Sequence, residues 1–321
     1  RIGLKMLAEQ AEARLSDCDT RTIVFNLGPR INAAGRLGDA ARAVTLLLSE
    51  TELEAVARAR QLERLNEERR ALDRQTQDEA FKMADLLLAK GQRHTVVLHH
   101  PEWHLGVIGI VASRLVDRHF RPAIMLANSG DLVKGSARSI NGINIHQALQ
   151  SCSDLLVEFG GHDYAAGVTL LPSNVEAFIE RFDQAVAGLV TPDILEPVID
   201  VDSAMDLSTL DKRFWAVLKQ FEPFGADNPE PIFWSQRLEV VGPVATVGRD
   251  RSHLKFSVRK HAAGEPARDV IGFGLGKHLD MVAESQERGK SLDLLFTIQE
   301  NTFNGRTKLQ LLAKDVRLNE D

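Results

Sequence analysis

With 321 residues the chain is long enough for two or three domains, each burying its own core without disulfides or structural metal. A composition of 44% hydrophobic and 26% charged residues excludes the disordered, collagenous and disulfide-stapled classes. The formal net charge of −6 excludes a protein that is basic all over, so a nucleic-acid site has to be local. Cys18 and Cys152 are far apart, match no metal-ligand spacing, and read as small buried hydrophobes in a reducing compartment. The most apolar run, 107–116, is broken by Gly109, Ser113 and Arg114, and there is no secretory signal. These features point to the cytoplasm and away from the membrane.

The chain opens at Arg1 with a helical run already in progress (Leu4, Leu7, Ala8, Ala11), which reads as a piece of a longer protein. Residues 1–49 are too few for a domain and close on the glycine-rich stretch Gly28-Pro29-Arg30-Ile31-Asn32-Ala33-Ala34-Gly35-Arg36. Residues 50–89 hold no Gly or Pro, and Leu53, Val56, Leu62, Leu65 and Leu72 recur at near-heptad spacing, predicting one long, largely exposed helix. After Lys90-Gly91-Gln92 a βα alternation begins: a strand at 95–98, an apolar helix from Gly106, and a strand at 123–127. Asn128-Ser129-Gly130-Asp131 predicts a turn. Ser173 to Glu176 has capping-box spacing before a helix whose face is Val175, Phe178, Ile179, Phe182, Val186 and Leu189. Beyond Pro192 and Pro197 the pattern changes to five short strands at 238–247, 253–259, 270–273, 292–298 and 308–316. Five strands with little helix suggest a small barrel of the oligonucleotide-binding (OB) type. The fold class is therefore α/β multidomain, an α/β domain followed by an OB-type barrel.

Four motifs can carry chemistry. Gly160-Gly161-His162 allows close backbone approach to a ligand with an imidazole beside it, which suits an anion, although a glycine turn with a satisfied His fits equally well. Ser136 and Arg138, two apart on an extended segment, share one side, where a hydroxyl and a guanidinium suit a phosphate. His104 precedes an apolar helix whose N-terminus favours anions. Arg30, Asn32 and Arg36 lie on a backbone loosened by Gly28 and Gly35, where phosphate contacts or merely solvated arginines are both reasonable. His99, His100 and His104 lack a third well-spaced ligand, and Leu98 stands where a phosphoesterase motif would have Asp, so no metal is assigned here.

Taken together and in order, GPRINAAGR, WHLGVIGIVASRL, GSARS and GGHDYAAG resemble the later motifs of the RecJ exonucleases in the DHH phosphoesterase superfamily. Pro223-Phe224-Gly225, Asn228-Pro229-Glu230-Pro231, His253-Leu254-Lys255 and Leu309-Gln310-Leu311 are similar to the OB domain of that family. The resemblance implies a remnant of a DHH domain (1–49), a long connecting helix (50–92), a DHHA1 domain (93–192) and an OB domain (193–321). It implies part of a metal-dependent 5′ to 3′ exonuclease of single-stranded DNA, active in recombination and repair. The Mn²⁺ or Mg²⁺ ligands of the family lie in earlier motifs, among them Asp-His-His, a string absent here, so this stretch should not cut by itself. By the same resemblance Ser136 and Arg138 hold a terminal phosphate. Gly160, Gly161, His162 and His104 line the cleft, with the two histidines in supporting catalytic roles, and Arg30, Asn32 and Arg36 contact the backbone. Arg249, Arg251, Lys255 and Arg306 are the barrel's phosphate candidates. Phe256, Phe303 and Trp234 are its stacking candidates, although a Phe in a strand is more often core. The implied partners are single-stranded DNA, a single-strand-binding protein and a RecQ-type helicase. Two alternatives stay open: a phosphodiesterase of short oligonucleotides or cyclic dinucleotides, and a non-catalytic single-strand-binding scaffold.

Overall fold

A computed structural model of the chain describes every residue except 92, 226, 249, 261–265, 304 and 320–321. It divides into two compact units, Arg1–Pro197 and Val198–Asp321.

The spine of the first unit is α5 (Glu52–Ala89), whose 38 residues run about 57 Å at 1.5 Å per residue. Thr51 caps it by accepting the Glu54 backbone N–H, and Glu52 and Glu54 in the first turn complement the helix dipole. The helix is far from exposed along its length. Its buried seam is Ala55, Ala59, Leu62, Asn66, Asp73, Thr76, Ala80 and Ala84, whereas Leu53, part of the predicted leucine repeat, is 84% exposed. Of the predicted repeat, Leu62 is in the seam and Val56 and Leu65 pack beside it, while alanines fill most of the remaining positions and let neighbours approach closely. Against its first half pack α1 (Ile2–Gln10), α3 (Gly28–Leu37) and α4 (Ala41–Leu47), with Met6, Leu7, Leu27 and Leu46 in the shared core. Between α1 and α3 the chain makes one turn of helix, α2 (Thr20–Thr22), that runs through π-helical Ile23–Leu27. The stretch predicted as a glycine-loosened loop is thus a helix, with Pro29 at its start, where the missing N–H costs nothing.

The second half of α5 packs on α6 (Leu105–His119) and on β1 (Val96–His99). A five-stranded sheet follows in the order β1-β2-β3-β5-β4, with β2 (Ala123–Ser129), β3 (Leu132–Arg138), β4 (Leu156–Gly161) and β5 (Ala165–Leu170). Only β1 and β2 run parallel. Helix α6 packs on β2 and β3, its Ile108, Val111, Ala112 and Leu115 meeting Met125. Helices α7 (Ile145–Gln150) and α8 (Val175–Ala187) belong to the other core, where Phe178 and Phe182 meet Ile124, Ala137 and Val168. The predicted apolar face of α8 is there, but its capping box is not. Asn174 is the N-cap but makes no side-chain cap bond: its amide Nδ2 donates to the Leu155 carbonyl, and its Oδ1 accepts from the Ser173 hydroxyl at 3.4 Å.

The second unit holds β6 (Ser203–Ala204), α9 (Lys212–Leu218), β7 (Phe233–Val247), β8 (His253–Lys260), β9 (Arg268–Gly272), α10 (Leu279–Glu287), β10 (Leu292–Phe303) and β11 (Arg306–Leu318). Pairings run β7–β8–β9–β11–β10 and return from β10 to β7, closing a five-stranded ring. A helix between the third and fourth strands and a long, bulged first strand are features of an OB barrel. The barrel is filled by Leu238, Val240, Leu254, Phe256, Val270, Phe296 and Leu311.

Candidate nucleic-acid interface

Strand β3 sets Ser136 and Arg138 on one side, as their spacing requires, and Arg138 Nη1 donates to Ser136 Oγ at 3.0 Å. The same nitrogen donates to the Ala137 carbonyl at 2.8 Å, fixing the guanidinium against its own strand. Helix α6 packs over this side of β3 at Gly109. A Cβ there would stand 2.8 Å from Ser136 Oγ and 3.1 Å from Arg138 Nη2, so only glycine lets helix and pair coexist.

Beyond α6 the sheet is uncovered. Ser136 pairs with Gly167, which pairs with Gly160, and directly opposed residues project to the same side. The Ser136–Arg138 pair therefore borders a shelf of naked backbone, and a Cβ at Gly160 would meet nothing within 4 Å. Gly161 differs: its φ of +151° and a Cβ position 2.3 Å from the Ala165 carbonyl oxygen demand glycine. The His162 backbone N–H donates to that carbonyl at 2.8 Å, so the tight hairpin leaves the His162 ring exposed at its tip. Asp163 accepts from the Asn144 amide at 2.6 Å, fastening the tip to the start of α7.

The N-terminus of α6 forms the near edge. His104 is its N-cap, with Nδ1 accepting the Gly106 N–H at 2.9 Å, which leaves Nε2 for other partners. Arg36 Nη1 donates to the Gly106 carbonyl at 3.0 Å, and a Cβ at Gly106 would lie 2.1 Å from the Arg36 carbonyl oxygen. The end of α3 is thus seated on the start of α6. Asn32 and Arg36, four apart on α3, share the exposed side of that helix. Arg30 does not join them. It is two residues from Asn32, on the opposite side of a helix, 8% exposed, bonded through Nε to Glu63 and through Nη1 to the Asn26 carbonyl.

The electrostatics are lopsided. Burial first, then the charge of Arg36, pull the Arg138 guanidinium below the ordinary arginine value. Burial does the same to Arg69 on α5, where Asp73 pushes back and Arg70, Arg36 and Arg114 add to the lowering. Among the described residues neither Arg36 nor Arg138 has a carboxylate partner. Asp73 neutralises Arg114, bonded to both its Nη atoms at 3.0 Å, and lies 3.7 Å from Arg69. Arg69 also donates to Asn66 Oδ1 at 2.9 Å, while Asn66 Nδ2 and Arg69 Nε are buried without partners. A partly buried cluster with more guanidinium than carboxylate is stabilised by an added anion. The α5 members went unread in the sequence, although polar Asn66 and Asp73 interrupting an alanine seam are the visible signal.

In the barrel, Arg251 and Lys255 are exposed and Phe256 is 2% exposed, in the core. Trp234 is partly covered, with Arg317 over its ring at 5.7 Å. Arg249 lies outside the described residues, as do the side chains of Phe303 and Arg306. The imidazoles of 99–104 are engaged separately: His99 with Asn128 Oδ1, His100 stacked on Trp103, and His104 at its cap. Among the described residues no group of three or more His, Cys, Asp or Glu is placed to hold a metal ion. No helix among them is long and apolar enough to cross a membrane.

Comparison with known proteins gives the same two parts. Residues 76–188 match the DHHA1 domain and residues 201–315 the RecJ OB domain. The single-stranded-DNA-specific exonuclease RecJ of Bacillus subtilis is 34% identical over 323 residues, covering 100% of this chain and 40% of the relative. That of Escherichia coli is 32% identical over 331 residues, covering 98% and 54%. The solved structure of RecJ with Mn²⁺ from Thermus thermophilus superposes with a TM-score of 0.79 at 29% identity, over 100% of this chain and 44% of that one.

This chain belongs to the RecJ family. It spans about half the length of the curated RecJ proteins it matches, 40% of the Bacillus and 54% of the Escherichia protein. The family uses divalent metal, RecJ of Thermus having been solved with Mn²⁺ and with Mg²⁺.

Proposed function

We propose that this chain is the strand-holding part of a RecJ exonuclease, taking the terminal 5′-phosphate of single-stranded DNA at Ser136 and Arg138. The observation that carries the reading is the Arg138–Ser136 pair, bordered by glycine shelf and lacking a carboxylate partner among the described residues. A dianionic terminal phosphate supplies the missing negative charge and accepts from both the guanidinium and the hydroxyl. The backbone of Gly160 and Gly161 admits the terminal sugar, His104 and His162 flank it, and Asn32 and Arg36 take the next phosphates. The barrel holds strand phosphates of its own through Arg251 and Lys255, with Arg249 and Arg306 assigned from sequence alone. Hydrolysis in this reading belongs to metal-binding motifs outside these 321 residues, and the chain by itself holds DNA without cutting it.

The test compares 5′-phosphorylated and 5′-hydroxyl single strands of one sequence by fluorescence anisotropy. The wild-type chain binds the phosphorylated strand more tightly, and Arg138→Ala loses about tenfold or more on that strand alone, as expected for a charge-assisted pair. Equal losses on both strands remove the terminal-phosphate role. Degradation of either strand in Mn²⁺ buffer by the purified chain removes the division of labour.

A further inference from the structure

Trp234 and Phe273 lie on different sides of the barrel, in different surroundings. Trp234, opposite Leu295, lines a cavity of about 250 Å³ whose other walls include Asp293 and Asp315, and its ring carries Arg317. Asp293 is ion-paired with Arg317 at 3.1 Å, Asp315 has no ion pair among the described residues, and one face of the Trp234 ring is taken by Arg317.

The β8–β9 side differs. Outward positions alternate along β8 as His253, Lys255, Ser257 and Arg259, while Leu254, Phe256 and Val258 fill the core. On β9 the residue opposite Lys255 is Ile271, and the next outward position is Phe273. Phe273 is 56% exposed, and hydrogen bonds of its turn hold the backbone that carries it. The Leu275 N–H reaches the Gly272 carbonyl at 3.3 Å with Gly274 at φ +75°, a tight turn that tucks Leu275 against the core and leaves Phe273 outside. The turn is fastened twice to the β7–β8 connection: Gly274 N–H to His253 Nδ1 at 3.3 Å and Gly276 N–H to the Ser252 carbonyl at 2.8 Å. His253 meets the Phe273 ring edge-on, centroids 5.0 Å apart at 83°, and so supports it without covering both faces. Exposed Arg251, Lys255 and Lys277 lie on the backbone beside this turn, Lys255 opposite Ile271, Arg251 next to Gly276 and Lys277 just after it, and none is in an ion pair among the described residues. The nearby carboxylates Asp250 and Asp269 accept from the Ser252 and Ser257 hydroxyls and keep their charge, so the three cations exceed them by one.

From this placement we propose that Phe273 is a nucleobase-stacking platform, held ready by His253, with Arg251, Lys255 and Lys277 receiving the phosphates on either side of the stacked nucleotide. The inference rests on the single-strand reading above and adds to it the residue that would contact a base. A preformed aromatic face flanked by flexible cationic side chains binds single strands with little regard to sequence, because every base offers a π-face and ordering costs have already been met. Of the sequence-based stacking candidates, Phe256 is core, Trp234 has Arg317 over its ring, and the side chain of Phe303 lies outside the described residues.

The experiment uses the full 321-residue chain and three probes of equal length without a 5′-phosphate: oligo(dT), oligo(dA), and an abasic deoxyribose-phosphate strand. Phe273→Ala weakens oligo(dT) and oligo(dA) binding by roughly tenfold, the order expected for loss of one stacked base, and leaves the abasic strand unchanged. Phe273→Trp restores affinity for the two base-bearing strands, whereas Lys255→Gln weakens all three and lowers the salt slope. Unchanged oligo(dT) affinity in Phe273→Ala, or an equal loss on the abasic strand, overturns the platform while leaving the single-strand reading intact. A wild-type chain that binds none of the three at low salt overturns both.

Discussion

Asp73 shows how one side chain sets the charge of the candidate site. Its carboxylate is 5% exposed and compensates Arg114 and Arg69, while Arg36 and Arg138 are left without such a partner. Removing it strips the counter-charge from two partly buried guanidiniums, a change that costs about 3 kcal/mol where a buried pair is broken. Asp73→Ala should therefore lower the urea midpoint of the first unit by that order, and Asp73→Asn should recover part of it through hydrogen bonding. A midpoint unchanged in both variants would show that water already compensates the arginines. Arg30 carries the complementary lesson, since its type and neighbourhood suggested a phosphate contact and its helix turned it onto Glu63. Residue type was legible in the sequence there. The side it faces was not, because Gly28 and Gly35 concealed a helix.

At the scale of elements, periodicity read well wherever apolar residues alone decide the packing. The face of α8 (Val175, Phe178, Phe182, Val186) and the inward positions of β8 are buried as their spacing demands. It failed where close approach decides. The seam of α5 follows alanines because α3 and α6 sit tightly upon it, and an alanine stripe is quiet beside leucines in a sequence scan. Local hydrogen-bond signals failed at the start of α8, where the helix has no side-chain cap bond and the Ser173 hydroxyl donates to Asn174 Oδ1. The four motifs of the candidate site were legible individually, and Ser136 with Arg138 came out as spaced. The glycine row Gly160–Gly167 and the Gly109 crossing are pairing facts that no single segment contains. The β4–β5 hairpin gives a test. Gly161→Ala meets both a positive φ and the Ala165 carbonyl, a strain of about 1–3 kcal/mol confined to the tip. Hydrogen exchange at His162, bonded to that carbonyl, should accelerate while α8 amides keep their protection. Equal acceleration in α8 would make Gly161 a determinant of the whole sheet.

For the molecule as a whole, each hydrophobic cluster lies within a single unit, the barrel core in Val198–Asp321 and the other three in Arg1–Pro197. Two units without a shared cluster are expected to unfold as separate cooperative events, each open to its own probe. Cys152 reports the first: it is fully buried, and burial pushes its thiol up to about 11, so at pH 8 it stays protonated and shielded until the unit opens. Partly buried Cys18 reacts earlier and serves as the internal reference. Asp206 reports the second, through its contacts with Lys260 first and Ser208 next, which hold its carboxyl down at about 2. A depressed carboxyl adds stability above its unfolded value, about 3.9, and loses it as the pH falls toward 2, a gain kept small by solvent screening at this surface pair. Asp206→Asn should accordingly speed exchange in β8 and β10 at pH 7 by a modest factor, and the difference from wild type should vanish near pH 2. Under the same conditions the urea midpoint of Cys152 labelling should stay where it is, although Asp73→Ala moves it. If Asp206→Asn shifts the Cys152 midpoint as far as it shifts exchange in the barrel, the two cores melt as one, and binding losses from barrel variants can no longer be assigned to the barrel alone.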